Sequence, residues 1–427
     1  MNRKMARYAL SAAAMTTSIA AHSGNNIELY GVLDVGIANV EHSLGFDPYH
    51  PVGVIPYANA TGTSSTTGMF NGGLSASRWG VRGSESITND LKASFVLESA
   101  FNVPSGRTSN AAASMANNTA RGPNMSADSA ISGQLFSRQS WVGLESNSLG
   151  QISFGRHQSF FLDNIAEFDP MLGSQIFSPI GFSGTYGGGG NTEDSRVDNS
   201  IRYKNRFGNF RIGALYKLGG IAGNTDAQNA FQFNSVYELG DLALVAGYQK
   251  FNDAFSASNG ASIGTLSVTA NDTTAYMLGL KYGMGPATIR LGYEREQFTN
   301  PSNPSADAIT NLFGFPVSGS VNVTPFKLQK NLDVYWGGLN YDVTGALTLS
   351  AAYYQVNQND YSGTGCSTSS SKCQGKSKFY SLLADYKFSK RTDIYAGAMD
   401  NSVSGGLGFD YAYTRNLIVG TGLRHKF

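Results

Sequence analysis

Two carboxylates stand four positions apart in "DNIAEF", residues 163 to 168, with Phe161 just before the stretch and Phe168 at its end. If this piece makes a helical turn, Asp163 and Glu167 share a face, because 3.6 residues per turn bring i and i+4 together. Such a pair could serve a glycosidase as acid and base, ligate a metal, or act as two fixed negative charges. Glycoside hydrolysis needs carboxyl groups about 5–5.5 or 6.5–9.5 Å apart across a sugar cleft. Nothing near the pair marks a cleft, and the glycine run Gly187 to Gly190 downstream makes a poor rigid platform. A metal would want more oxygen ligands or a histidine, and His157 is the nearest in sequence. A nucleophile is no easier to assemble. "GFSGT" lacks the last glycine of a Gly-x-Ser-x-Gly turn, and "YGGGGNTED" lacks the Lys-Ser/Thr of a phosphate loop. The expectation is no enzyme, no cofactor and no metal, with the carboxylates acting through their field.

The elements that hold such a field must be read from the rest of the chain. It has 427 residues, a net charge of +1 and 14% charged residues, well under the roughly 25% of an average soluble domain. That balance argues against a nucleic-acid partner, which would want a basic excess. Arg3, Lys4 and Arg7, the mildly apolar Tyr8 to Ala21 and the small residues after it read as a signal peptide over 1–23, cleaved near 20–23. A single domain, 24–427, would follow. No later segment offers the ~20 apolar residues of a spanning helix.

Period-2 alternation runs through "LYGVLDVGIA", "LKASFVLES", "AYMLGLKYG" and "DVYWGGLNYDV", as in strands with one apolar face. Seven tight connections, at 86–90, 146–150, 206–209, 239–242, 282–286, 343–346 and 388–392, alternate with eight long polar ones. The long ones lie near 42–69, 102–133, 157–195, 218–230, 252–271, 298–326, 358–376 and 401–413. Fifteen connections join sixteen strands, and this asymmetry belongs to transmembrane barrels with short periplasmic turns and long outer loops. All twelve prolines fall in loops or turns or at a strand's edge, where the missing N–H breaks no ladder. The predicted fold is an all-β, sixteen-stranded antiparallel transmembrane barrel. Its outward faces should carry Tyr, Phe, Trp, Leu and Val, and its inward faces Gly, Ser, Asn, Arg and Glu.

Parity assigns the charges. In "SRWGVRG", Arg78 and Arg82 share a face opposite Trp79; in "SRQSWVG", Trp141 facing lipid would put Arg138 inward. A charge toward lipid at mid-depth costs ~2–4 kcal/mol, so inward is the default. Glu98, Arg156 and Arg202 are further pore-lining candidates. Cys366 and Cys373, both in "GTGCSTSSSKCQG", can pair in an oxidising compartment and stiffen that loop, with two free thiols as the alternative. The end, "NLIVGTGLRHKF", alternates to a terminal Phe427, which suits recognition during outer-membrane insertion.

"IELYGVLDVGIA", "SRWGVRGSESITNDLKASFVLES", "LFSRQSWVGLESNSLGQISFGRH", "RVDNSIRY" and "GLRHKF", in this order, resemble the trimeric general diffusion porins of Gram-negative bacteria, over essentially the whole mature chain. The resemblance implies a homotrimer, a third loop folded inward, and passive diffusion of ions and small hydrophilic solutes. It implies a constriction in which Asp163 and Glu167 face a wall cluster of Arg78, Arg138 and Arg196. Val32 stands where enteric porins carry a lysine, so the expected selectivity is weak, leaning to anions. Expected partners are outer-membrane lipid and lipopolysaccharide, the barrel assembly machinery and the solutes themselves. The alternative is a barrel-anchored adhesin or structural surface protein with little conductance.

Overall fold

The alternating stretches form sixteen antiparallel strands that close on themselves. The computed structural model describes residues 26–44, 62–106, 108, 135–180, 196–258, 267–304, 311–312, 315–316, 321–322, 326–366, 370–410 and 413–427; the expected signal peptide lies outside them. The strands are β1 (Asn26–Leu44), β2 in two pieces (Gly62–Asn71 and Arg78–Ser86), β3 (Leu91–Ala100), β4 (Gln139–Ser146), β5 (Gly150–Gln158), β6 (Arg196–Phe207), β7 (Phe210–Lys217) and β8 (Ala230–Leu239). They continue as β9 (Leu242–Ser258), β10 (Ser267–Met284), β11 (Ala287–Thr299), β12 (Lys330–Asp342), β13 (Leu347–Gln358), β14 (Gly375–Lys387), β15 (Thr392–Gly405) and β16 (Arg415–Lys426). β16 pairs with β1, Gly422 opposite Gly36, so the ladder has no free edge. Closure is what allows strands to cross hydrocarbon, since every backbone polar group finds a partner within the sheet.

All seven short turns fall where the sequence places them. Three long connections are shorter than expected, because β1 runs to 44 and β2 starts at 62, β9 and β10 run on through 252–258 and 267–271, and β15 through 401–405. These stretches are rich in Ser, Thr and Asn with few large apolar residues, which weakens the apolar alternation that marks a strand.

The outer surface is apolar, with Ile27, Leu29, Phe154, Leu278, Leu382 and Val419 all exposed. The inner face corrects the sequence reading. From β10 to β15 it carries Met277, Val334, Trp336, Tyr354, Tyr395 and Met399, all buried, beside polar residues such as Glu294, Glu296, Ser381 and Asn401, so the lining is mixed and not polar throughout. These pack against Phe161, Ile165, Met171, Ile176 and Phe177 of the connection between β5 and β6, which lies inside the barrel. A face covered by protein wants the same residues as a face covered by lipid, so alternation cannot tell them apart.

Strand β2 is interrupted by residues 72–77, which leave the wall and fold inward. Gly72 makes the exit with φ of 76°, a conformation open to glycine at little cost. The N–H groups of Gly73, Leu74 and Ser75 then donate to the Asp34 carboxylate at 3.0, 2.9 and 2.8 Å, and Tyr395 Oη adds a fourth bond at 2.5 Å. The carbonyl of Gly73 in turn accepts from Ser174 Oγ and from the N–H of Gln175, both at 2.8 Å. The excursion therefore ties the far arm of the inner loop to the wall.

Candidate functional site

"FFLDNIAEF" forms the helix α1 (Phe160–Phe168) inside the barrel. Ser159 caps it, its Oγ accepting from the Leu162 N–H at 3.1 Å, as N-cap serines do. Phe160 N–H donates to Gln232 Oε1 on β8 at 3.0 Å. At the other end the last carbonyls lack helical partners, and the wall supplies them. Arg290 Nε reaches the Glu167 carbonyl at 2.9 Å, Trp336 Nε1 the Phe168 carbonyl at 3.0 Å, and Asn340 Nδ2 the Pro170 carbonyl at 2.7 Å. Asp169, fully buried, accepts from the N–H groups of Met171 and Gly173 and from Tyr354 Oη at 3.1, 2.8 and 2.5 Å. Burial pushes its carboxyl above the ordinary range, with these bonds holding it back in part.

Glycines on the wall receive the loop. A side chain at Gly213, Gly247, Gly279, Gly338 or Gly397 would press on Phe160, Phe161, Phe168, Pro170 and Phe177 respectively. Part of the chain's high glycine content is thus a track of flat wall beneath one inner segment.

Asp163 and Glu167 do share the lumen-facing side of α1, and each is bound to cations of the adjacent wall. Asp163 pairs with Arg202 of β6, whose guanidinium also stacks on the Phe160 ring, 4.3 Å from its centroid. Glu167 is held by Arg211 of β7 at 2.7 Å and by Lys281 of β10 at 2.5 Å. The two positions differ electrostatically. Asp163 lies in the first turn, where the helix dipole favours a negative charge, whereas Glu167 lies in the last, where it does not. Three neighbouring cations, Arg211, Lys281 and Arg290, offset that disadvantage.

The expected wall cluster sits elsewhere. Arg78 and Arg138 share Glu98 of β3, at 3.5 and 2.6 Å, and Tyr30 Oη donates to the same carboxylate at 3.0 Å. Arg82 pairs with Glu28 at 2.8 Å, near the short turns. Arg156, at a bulge of β5, pairs with Asp198 and donates from Nε to the Ser137 carbonyl at 2.7 Å. Arg196 is buried at the start of β6, opposite Gln158 in register. The loop acids are thus paired with Arg202, Arg211 and Lys281, and not with Arg78, Arg138 or Arg196. Only Arg202 was among the residues expected from sequence.

The parity argument for Trp141 also needs correction. Val142 and Leu144 face outward, so Trp141 lies on the lumen face with Gln139, to which its Nε1 donates at 3.2 Å, and stacks on His157 at 6.0 Å. Arg138 reaches inward all the same, because it precedes the first residue of β4 and bends to Glu98. Trp79 lies opposite Gly31 and on the outer face, as expected.

Sequence reasoning missed the residues that hold the loop: Gln232, Arg290, Trp336, Asn340 and Tyr354. Each lies at an inward strand position two residues from a small one on the same face, Ala230, Gly292, Gly338 or Ala352, and that spacing was the available signal. In the connection between β13 and β14, Cys366 and Cys373 are joined, with Cα atoms 5.3 Å apart. The backbone of Phe427 exchanges two hydrogen bonds with Gly31, both 3.1 Å, and its ring lies over that glycine.

Glu167 gives the site a pH signature. Burial raises its carboxyl, but the hydrogen bonds from Lys281 and Arg211 outweigh this and hold it below the ordinary range. A lowered folded-state pKa contributes stability above the unfolded value of about 4.3 and loses it as pH falls through the folded value. Wild type should therefore exceed Glu167→Gln in thermal stability near neutral pH by ~1 kcal/mol or less, since the group is partly exposed. Melting curves at successive pH values should show this difference closing below about pH 4.

A closed, even-stranded antiparallel barrel with short turns at one end, and a loop laid across its interior on charged side chains, defines a membrane channel narrowed from within. The family model for Gram-negative porin matches residues 9–406, and the chain belongs to that family. It is 27% identical over 432 residues to an outer membrane porin protein of Bordetella pertussis, covering 96% of each chain. Among solved structures it is similar to an anion-selective porin from Comamonas acidovorans, with a TM-score of 0.61 and 20% identity over 94% of this chain and all of that one. A trimer form of OmpT from Vibrio cholerae follows at 0.56 and 17%, covering 95% of this chain and all of that one. The protein is a passive channel of the bacterial outer membrane.

Proposed function

We propose that the chain is a general diffusion porin without catalytic activity, in which α1 and its neighbouring wall form the narrowest passage. The constriction comprises Asp163 and Glu167 with Arg202, Arg211 and Lys281 on one side, and Arg78, Arg138 and Arg196 with Glu98 on the other. The observation that carries this reading is the docking of α1 by side chains from β6 to β13, which fixes an acidic segment inside a closed barrel. With both carboxylates committed to cations, neither is free to act as acid or base. Two acids of the helix lie among four wall cations, counting Arg290, which favours weak selectivity toward anions. The chain would work as a homotrimer, as the related OmpT does in its trimer form, with its apolar exterior against lipid, lipopolysaccharide and neighbouring protomers. Phe427, closing the last strand on Gly31, would be the end read by the barrel assembly machinery.

Purified protein in planar bilayers should give stepwise, ohmic conductance in salt. A folded preparation with no conductance would overturn the reading in favour of a barrel-anchored surface protein.

A further inference from the structure

Between α1 and the short-turn end of the barrel lies a cavity of about 500 Å³, within the usual range of small-molecule sites. Its floor is a cross-strand row, because Glu145 of β4 lies opposite Gln151 of β5, which lies opposite Lys204 of β6. All three line the cavity. Strands are ~4.8 Å apart, so the backbones of Glu145 and Lys204 stand ~10 Å apart with the amide between them. The roof is the Phe160 ring and Asn164 of α1, the latter's Nδ2 bonded to Asn234 Oδ1 at 2.9 Å.

The charges around this cavity are not equivalent. Asp163, Glu167, Arg206 and Arg211 are already in ion pairs. Glu145 and Lys204 form none among the described residues, although both line the same space. What the cavity presents is one uncommitted carboxylate, one amide able to donate and accept, and one uncommitted ammonium, in a line beneath an aromatic ring.

We propose that this cavity is a subsite for a zwitterionic solute of dipeptide size. Its ammonium would sit on Glu145, its central amide on Gln151 and its carboxylate on Lys204. The order of the three groups matches the order of charges along a dipeptide. A free amino acid, whose charges are only ~3 Å apart, cannot reach both ends of the row, and a simple anion or cation uses one end only. The inference rests on the channel reading, and the open-channel current tests that reading separately.

The test uses trimers in planar bilayers, with alanyl-alanine added from the short-turn side and blockage of the ion current titrated. Wild type should show saturable interruption, weaker for N-acetyl-alanyl-alanine and for alanyl-alanine amide, each of which lacks one charge. Glu145→Gln and Lys204→Met should each weaken binding of alanyl-alanine about threefold to fivefold, the size expected of one part-exposed charge contact. Glu145→Gln should leave the acetylated peptide's affinity unchanged, and Lys204→Met that of the amide. Lys92→Met, in register with Glu145 but outside the cavity, should bind like wild type. Normal current with no saturable block, or a block indifferent to which terminus is masked, would overturn the subsite while leaving the channel intact. Absence of current would instead overturn the channel reading.

Discussion

Trp336→Ala should conduct more current per channel than wild type and admit larger solutes, while its barrel remains folded. The indole is buried against the inner loop, it donates to the Phe168 carbonyl, and it lies over the flat backbone of Gly292. Truncating a buried Trp costs ~3–5 kcal/mol, and here that loss falls on docking of the loop. The strand ladders of β11, β12 and β13 need no contribution from the ring. Gly213→Leu should act in the same direction by the opposite route, filling the space where the Phe160 ring lies. Single-channel conductance, with liposome swelling in sugars of increasing size, checks both. Heat-resistant trimers of Trp336→Ala with wild-type conductance would mean that the loop stays docked by its remaining contacts, Arg290, Asn340, Tyr354, Gln232 and the ion pairs of α1, or does not set the passage.

That the loop is held by an apolar patch explains why parts of the site could not be read from sequence. Strand number and turn positions follow from local patterns, alternation and Gly/Asn turns, whereas the inward fold of the loop is implied by the family resemblance, and the i,i+4 spacing of Asp163 and Glu167 only allows a helical turn. Which cations meet Asp163 and Glu167 depends on where α1 lands on the wall, and that is fixed by long-range fits such as Phe168 on Gly279 and Pro170 on Gly338. Nothing near Lys281 or Arg211 in sequence distinguishes them from other inward charges. The same limit misassigned Trp141: a large aromatic facing lipid and one stacked on His157 in the lumen look alike in a strand of mixed residues. The break in β2 was invisible for another reason. "GGLSAS" reads as an extension of a small-residue strand until Asp34, which falls in the gap between the Val35–Asn71 and Val32–Arg78 pairs, is seen to gather the N–H groups that the break releases.

The double variant Asp163→Asn/Glu167→Gln should shift permeability strongly toward anions. In wild type the two carboxylates offset Arg202, Arg211 and Lys281 at contact distance. Neutralising them leaves Arg202 and Lys281 without a carboxylate and Arg211 with Glu238 only, their hydrogen-bonding geometry largely preserved. A unit charge ~4 Å from a passing ion is worth ~1 kcal/mol even in a water-like medium, about a fivefold change in local ion ratio for each. Screening trims this at high salt, since the Debye length is ~10 Å at 0.1 M and ~3 Å at 1 M. The reversal potential in a salt gradient should therefore move further toward anions than wild type, and the displacement should shrink as both salt concentrations are raised. Glu98→Gln tests the other wall, because it would leave Arg78 and Arg138 without their shared carboxylate. A potential that follows Glu98→Gln and ignores the double variant would place the selective passage between β2 and β4 and remove α1 from that role. A response to the double variant alone would assign selectivity to the helix and the cations it meets on β6, β7 and β10.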